Sequence, residues 1–416
     1  MTTTTHSQTG RAALPWSALL ALGTAVFITS LTETLPAGVL PEMSSTLDVS
    51  SAAAGQAVTV YAAGTALTAI PLATATASVP RKPLLLGAMT VFLVANTLTA
   101  AAPGYVVLLV ARFLAGVAAG LAWAILAGYA RRIAPAGSEG RAIAIAMTGI
   151  PLALSLGVPA GTLVGQQVGW QAAFAAVSVL TLAVIAWIVR SVPATAQPGI
   201  ENATKATTRQ TMKVPGVAAI MIVVVTFVLG HTIIYAYITP YLQHAGLRSS
   251  TDAVLLAFGI ACLGSIWYVG RRIDQYLRVL ALTAAALFTL STAAFTATTA
   301  HSVVWVAAVV WGLGWGGVPT LLQTAAGHAG MRRGPAVADT AQAILVTLWN
   351  AAMALGGIVG GVILQSVSAT AVAAMAAILG ATSLLIVTLA RHHAFPQLGP
   401  RHDMPARHYR RKVDAA

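Results

Sequence analysis

Two charged side chains, Glu33 and Arg112, stand well inside apolar runs of this sequence. Charge at mid-membrane depth costs roughly 2.5–3.5 kcal/mol on insertion scales, so such residues mark function by default. A buried carboxylate can take up and release a proton, because desolvation and a nearby cation each move its affinity for one. At about 1.5 Å rise per residue, both groups fall in the outer half of their runs, roughly 7–9 Å from the midplane. They are therefore level with one another. Two chemistries fit: a carboxylate that alternates between Arg112 and a proton, or a permanent structural ion pair. Polar and aromatic side chains in other apolar runs are candidates to hold a ligand: Tyr61, Trp123, His231, Tyr235, Trp311, Trp315, Gln323 and Asn350. Trp311 and Trp315 are one helical turn apart and share a face with Gln323. Each alone fits plain packing as well; as a set they point to an aromatic, amphipathic ligand. His231 reads either as a satisfied core histidine or as a second proton site.

The elements that position these residues follow from composition. The 416 residues are 57% hydrophobic and 8% charged, with a mean hydropathy of +0.82. A soluble fold of this size could not hide so much apolar surface. An all-α membrane protein with many spans is expected. Apolar runs predict twelve spans: 15–38, 52–76, 83–102, 105–130, 140–166, 170–190, 215–242, 252–270, 277–298, 302–327, 336–365 and 369–390. The expected organisation is a tail 1–14, a six-helix bundle 15–190, a linker 191–214, a second bundle 215–390 and a basic tail 391–416. The first tail is polar and Thr-rich, reading as a disordered segment rather than a signal peptide. The lone Cys262 excludes an intramolecular disulfide.

The net charge of +13 does not point to nucleic acid, because of where it lies. Of the 23 Lys and Arg residues, all but Arg112 and Arg248 fall on one face. Basic loops mark the cytoplasmic side, which places both termini there. His392, His393, His402 and His408 belong to a basic tail suited to anionic lipid rather than metal. Neither metal nor cofactor is expected, and the protein reads as a monomer in the bilayer.

The stretch Gly149–Gly165 is uncharged, with Ala153, Gly157, Gly161 and Gly165 at every fourth position. Such a stripe allows close backbone approach in lipid, and Pro151 and Pro159 predict kinks. A weak repeat runs at an offset of about 199. Leu156-Gly157 and Gly161 match Leu355-Gly356 and Gly360, Pro41 matches Pro240, and Trp311 takes the place of Arg112. The expectation is that Gly157 and Gly161, like Gly356 and Gly360, meet a helix of the opposite half. Repeated halves suggest a transporter with its site between them.

With these features the chain resembles the major facilitator superfamily, and within it the bacterial twelve-helix drug:proton antiporters of the sugar-efflux and chloramphenicol-resistance type. The resemblance covers roughly residues 15–390. It rests on Ser155-Leu-Gly157-Val-Pro159-Ala-Gly161, on Arg112-Phe-Leu-Ala-Gly116-Val-Ala-Ala-Gly120, and on Thr32-Glu33 with Pro36, Gly38 and Pro41. It implies a bacterial inner-membrane exporter of a drug, antibiotic, sugar or metabolite, with spans 1, 4, 7 and 10 around the cavity and Glu33 coupling to protons. The loop after span 2 departs from the family's pattern. It keeps Arg81 and Lys82 but has Ala77 where the family has an acid, whereas the second copy keeps Gly270, Arg271, Arg272 and Asp274. A weak latch in the first half is therefore expected. Uptake by symport is the alternative, and an intramembrane enzyme a remote one; no G-x-S-x-G or H-E-x-x-H occurs.

Overall fold

The computed structural model describes residues 13–194 and 206–396. Most of the Thr-rich start, the middle of the expected linker, and the basic tail from residue 397 on, with His402 and His408, lie outside the described residues. Among the described residues the chain is helical and contains no strand. In hydrocarbon this is the arrangement that lets each backbone N–H and C=O find a partner within its own segment.

Among the described residues, eleven helical stretches are long and apolar enough to cross a membrane. One of them, Thr251–Ala297, has 47 residues and is broken at Tyr276 (φ −123°, ψ 28°). Unbroken, it would be about twice as long as a bilayer core is thick. Phe258 and Phe295, on either side of the break, both reach Trp311, with ring centroids 4.3 and 6.2 Å away. The stretch therefore folds back and supplies spans 8 and 9, making twelve.

Two large apolar cores form, with a small third cluster of Ala73, Ala124 and Ala343 between the halves. One gathers residues from Ala18 to Val192, joined by Ile266, and the other residues from Val214 to Phe395. Between them the short helix Thr208–Met212 carries a capping box of Thr207 and Gln210, so part of the expected linker is ordered. Phe395 is fully buried in the second core. Arg278 donates to the carbonyls of Val387 and Thr388 at 3.0 and 2.9 Å and to that of Phe395 at 3.5 Å. It thereby satisfies carbonyls that the end of span 12, Ala369–Leu389, leaves without helical partners.

Spans 1 and 7 break alike. Span 1, Trp16–Gly38, ends at Val39 (φ −121°, ψ 21°), and span 7, Val217–Ala236, ends at Tyr237 (φ −118°, ψ 19°). Each continues as a seven-residue helix, Leu40–Thr46 or Ile238–His244. Span 5 is irregular, as its prolines predict. It passes from Glu139–Met147 through Gly149–Leu152 and a π turn, Ala153–Gly157, to Val158–Val168. Pro159 has no N–H to give, and the N–H of Val158 reaches back to Ala153.

The glycine seams close within each half, which overturns the expectation that they face the opposite one. A Cβ at Gly157 would lie 3.0 Å from Phe27 and 3.2 Å from Leu31, and one at Gly161 2.6 Å from Leu35. At Gly356 it would lie 2.7 Å from Thr232, and at Gly360 2.6 Å from Tyr237. Small residues are needed where neighbouring helices of one bundle approach closely, here span 5 on span 1 and span 11 on span 7.

A second pair of seams corrects the repeat register. Gly116 and Gly120 of span 4, Tyr105–Ile133, press on the carbonyls of Tyr61 and Thr65. Gly312 and Gly316 of span 10 press in the same way on those of Phe258 and Cys262. Counted from these contacts, Arg112 corresponds to Ala308, and Trp311 corresponds to Ala115. Sequence offset alone misplaced Trp311, because the offset differs from span to span.

Candidate functional site between the two halves

The halves meet at the Lys/Arg-rich face. Asp339, near the start of span 11, Pro335–Ser366, accepts from Arg81 at 2.6 Å and from Arg132 at 2.5 Å. All three side chains are largely buried. Arg131 donates to the carbonyl of Gly327 at 2.9 Å. Asp274 accepts from the backbone N–H groups of Gly140 and Arg141 in the first turn of span 5, where free N–H groups and the helix dipole favour an anion. Gly270 packs against Ala144, which a Cβ would approach to 2.8 Å. Nearer mid-depth, Gln323 Nε2 donates to Met147 Sδ at 3.2 Å and Thr347 to the carbonyl of Ala66 at 3.4 Å. Among the described residues, these hydrogen bonds between halves run from mid-depth to the basic face.

The weak latch expected after span 2 is not what the structure holds. Arg81 finds its acid in the opposite half, at Asp339, and shares it with Arg132. Lys82 donates to Val189 of its own half at 2.9 Å and takes no part in the seal. Sequence reasoning missed Asp339 and Arg132 because a local motif cannot reveal a partner so distant along the chain. The available signal was an acid near the start of an otherwise apolar span.

On the first-half wall, Arg112 is fully buried. Its Nη2 donates to the carbonyl of Thr32 at 2.8 Å and its Nε to that of Ala57 at 3.3 Å. Its guanidinium lies over Tyr61, 4.7 Å from the ring centroid, with Phe174 at 5.5 Å. Ring faces and carbonyl oxygens are what a desolvated guanidinium needs. Its Nη1, however, is buried without a partner, as is Thr32 Oγ1. Glu33 follows Thr32 directly and keeps part of its surface exposed. It makes neither a hydrogen bond nor an ion pair with any described residue. The permanent ion pair considered from sequence is thus absent here. A carboxylate without a partner stands next to the carbonyl that holds Arg112.

The second-half wall is built of rings. Trp311 Nε1 donates to His231 Nδ1 at 3.1 Å. Trp315 stacks on His231, with centroids 3.4 Å apart and planes 4° apart. Tyr235 and Phe258 flank His231 at 5.4 and 6.2 Å, and Trp349 lies 5.7 Å from Trp315. Span 7 can present these groups because its other face, with Thr232 and Ile233, packs against span 11.

The remaining sequence candidates divide by burial. Tyr61 and Trp311 are wholly buried and support Arg112 and His231 rather than lining open space. Gln323 and Asn350 are also buried. Asn350 Nδ2 bonds to Val346 of its own helix at 2.9 Å, and Gln323 belongs to the contact between halves. Trp123, Tyr235 and Trp315 retain exposed surface. Sequence reasoning missed Trp349 and Phe258. Both were visible as aromatics inside spans, but neither stood in helical register with Trp311.

Residues 22–338 match the family described as the Major Facilitator Superfamily. The chain is 31% identical over 363 residues to YtbD of Bacillus subtilis (strain 168), described as an uncharacterized MFS-type transporter; the match covers 84% of this chain and 89% of YtbD. Among solved structures, it is similar to the proton:xylose symporter XylE bound to 6-bromo-6-deoxy-D-glucose, with a TM-score of 0.70 at 16% identity over 91% of this chain and 96% of that one. It is also similar to FucP in the outward conformation, with a TM-score of 0.72 at 13% identity over 91% and 99%. At these identities the two structures speak to the fold alone.

Proposed function

The chain belongs to the Major Facilitator Superfamily, and from that premise we propose that it exports a small organic molecule in exchange for protons by alternating access. It is a multi-pass membrane carrier and not an enzyme. The observation that carries the proton reading is Glu33, unpaired and partly exposed beside a buried Arg112 whose Nη1 has no partner. A carboxylate in that position can take a proton from the open side. Drawn to Arg112, it releases the proton, because a cation favours the charged form. The basic loops put the sealed face in the cytoplasm of a bacterial inner membrane, so the state described is outward-facing. Glu33 is then loaded from the side where protons are abundant. The substrate cavity lies between the Glu33 wall and the ring wall.

Export is favoured over uptake by the likeness of the Gly149–Gly165 stretch to that of drug:proton antiporters. Its glycines pack within one half, so direction rests on the motif and needs its own test. Cells expressing the protein are first screened for resistance to a compound panel. A compound so found is added to everted vesicles acidified by respiration. Antiport predicts that the lumen turns alkaline as the compound enters. No change in luminal pH, with the compound nonetheless transported, would overturn the exchange reading.

A further inference from the structure

His231 has one N–H left to offer. Trp311 Nε1 is a donor only, so the His231 Nδ1 that it meets at 3.1 Å must accept and carries no proton. The ring proton is then on Nε2. Turning the ring over would set a carbon against the indole N–H and waste that bond, which fixes the assignment. Nε2 has no hydrogen-bond partner among the described residues, although the ring is nearly buried. Trp315 stacks on the His231 ring, Tyr235 stands beside it, and Trp349 adjoins Trp315, each with part of its surface exposed. Among the described side chains this wall holds no carboxylate to meet a cation: Asp274 and Asp339 of the second half are both engaged in the seal, and Glu33 stands on the opposite wall, next to the carbonyl that holds Arg112.

We propose, on the reading of this space as the carried molecule's site, that the second half binds an uncharged or anionic planar aromatic compound. Its ring lies against Trp315 and Trp349, and an oxygen acceptor beside the ring takes the His231 Nε2–H. A polyol or an organic cation satisfies only part of this wall. A polyol lacks the flat apolar face that the tryptophans cover, and an ammonium, although ring faces attract it, brings no acceptor to the Nε2–H.

The test uses calorimetric titration of the purified full chain with four probes: 2-naphthamide, 2-naphthoate, 2-naphthylmethylammonium and cyclohexanecarboxamide. The first two are expected to bind, and the last two at least about tenfold more weakly, the scale of one hydrogen bond or ring contact. His231→Phe keeps a ring in the stack and removes the donor, so naphthamide affinity should fall about tenfold in protein that still melts cooperatively. Because that change leaves the Trp311 indole unpartnered, Trp349→Ala at a partly exposed position serves as the second variant and should weaken both naphthyl acceptors. Equal affinity for the ammonium and the amide, or unaltered naphthamide binding in either folded variant, would overturn the proposal. Proton exchange by the unaltered protein in vesicles is read separately. If exchange fails while the probe ranking holds, the exporter reading falls and the ring site stands; the reverse removes the ring site alone.

Discussion

Glu33 and His231 occupy the same place in the two halves. Each stands six residues before the break that ends its span, at Val39 and Tyr237, whose backbone angles agree within a few degrees. The surroundings diverge. In the first half, Arg112 sits over Tyr61 and holds the carbonyl beside Glu33. In the second, Ala308 stands at the Arg112 position, and Trp311, from the position of Ala115, covers Phe258 and donates to His231. Helix breaks and glycine seams are kept on both sides, while the chemistry differs: ionic on one wall and aromatic on the other. A repeated scaffold can therefore divide proton handling from ligand holding without changing its backbone.

The largest effect that tests this division comes from Glu33→Gln. It should lower proton-coupled transport by about 100-fold or more, as loss of an unpaired intramembrane acid implies. His231→Phe should instead lower ligand affinity and leave the proton count per molecule unaltered. Vesicle transport with simultaneous luminal pH readings separates the two; equal loss of coupling in both variants would break the comparison.

Next in size is the seam that both halves share. Gly157→Leu should destabilise the folded protein by about 1–3 kcal/mol through overpacking against Phe27 and Leu31. Those neighbours belong to the same half, so thermal stability in detergent should fall without a proton leak. Gly356→Ala meets Thr232, whereas Gly357→Ala meets nothing within 4 Å, so only the former should lower the melting temperature. A leak in stable Gly157→Leu protein would mean that the seam moves during transport.

The basic-face seal gives smaller shifts. Asp339→Asn removes the partner of Arg81 and Arg132, whose side chains are 8% and 21% exposed, and should open that face by about tenfold in population, near 1.4 kcal/mol. Cysteine labelling of the vestibule from the basic side reads the change. Ala77→Asp restores the acid missing after span 2. With Arg81 already paired, it should favour closure by no more than about fivefold, the upper range for a partly exposed pair. A larger shift for Ala77→Asp than for Asp339→Asn would show that the local loop, not the cross-half pair, is the latch.

Much of this was legible in the sequence. Apolar runs and basic loops gave twelve spans, and Glu33 and Arg112 stood out because charge is rare at that depth. The seam partners did not, since a glycine stripe announces close approach without saying which helix approaches. Register between halves was blurred for a similar reason. One offset cannot serve spans whose connections differ in length, and only the carbonyls under Gly116 and Gly312 align Arg112 with Ala308. Whether Glu33 and Arg112 are joined depends on side-chain placement within a few ångströms, which spacing along two helices does not determine.

The anchoring of Phe395 by Arg278 bears on the order in which the molecule is made. Apart from Ile266, the first core is complete once Val192 has been added, so its six spans can assemble while the ribosome is still working. The second core draws on Ala394 and Phe395, and the hydrogen bond from Arg278 to the Phe395 carbonyl joins the start of span 9 to a residue made 117 positions later. The second half therefore waits in the membrane without these last core contacts until Phe395 has been added, with the spans of the ionic half already beside it as a template.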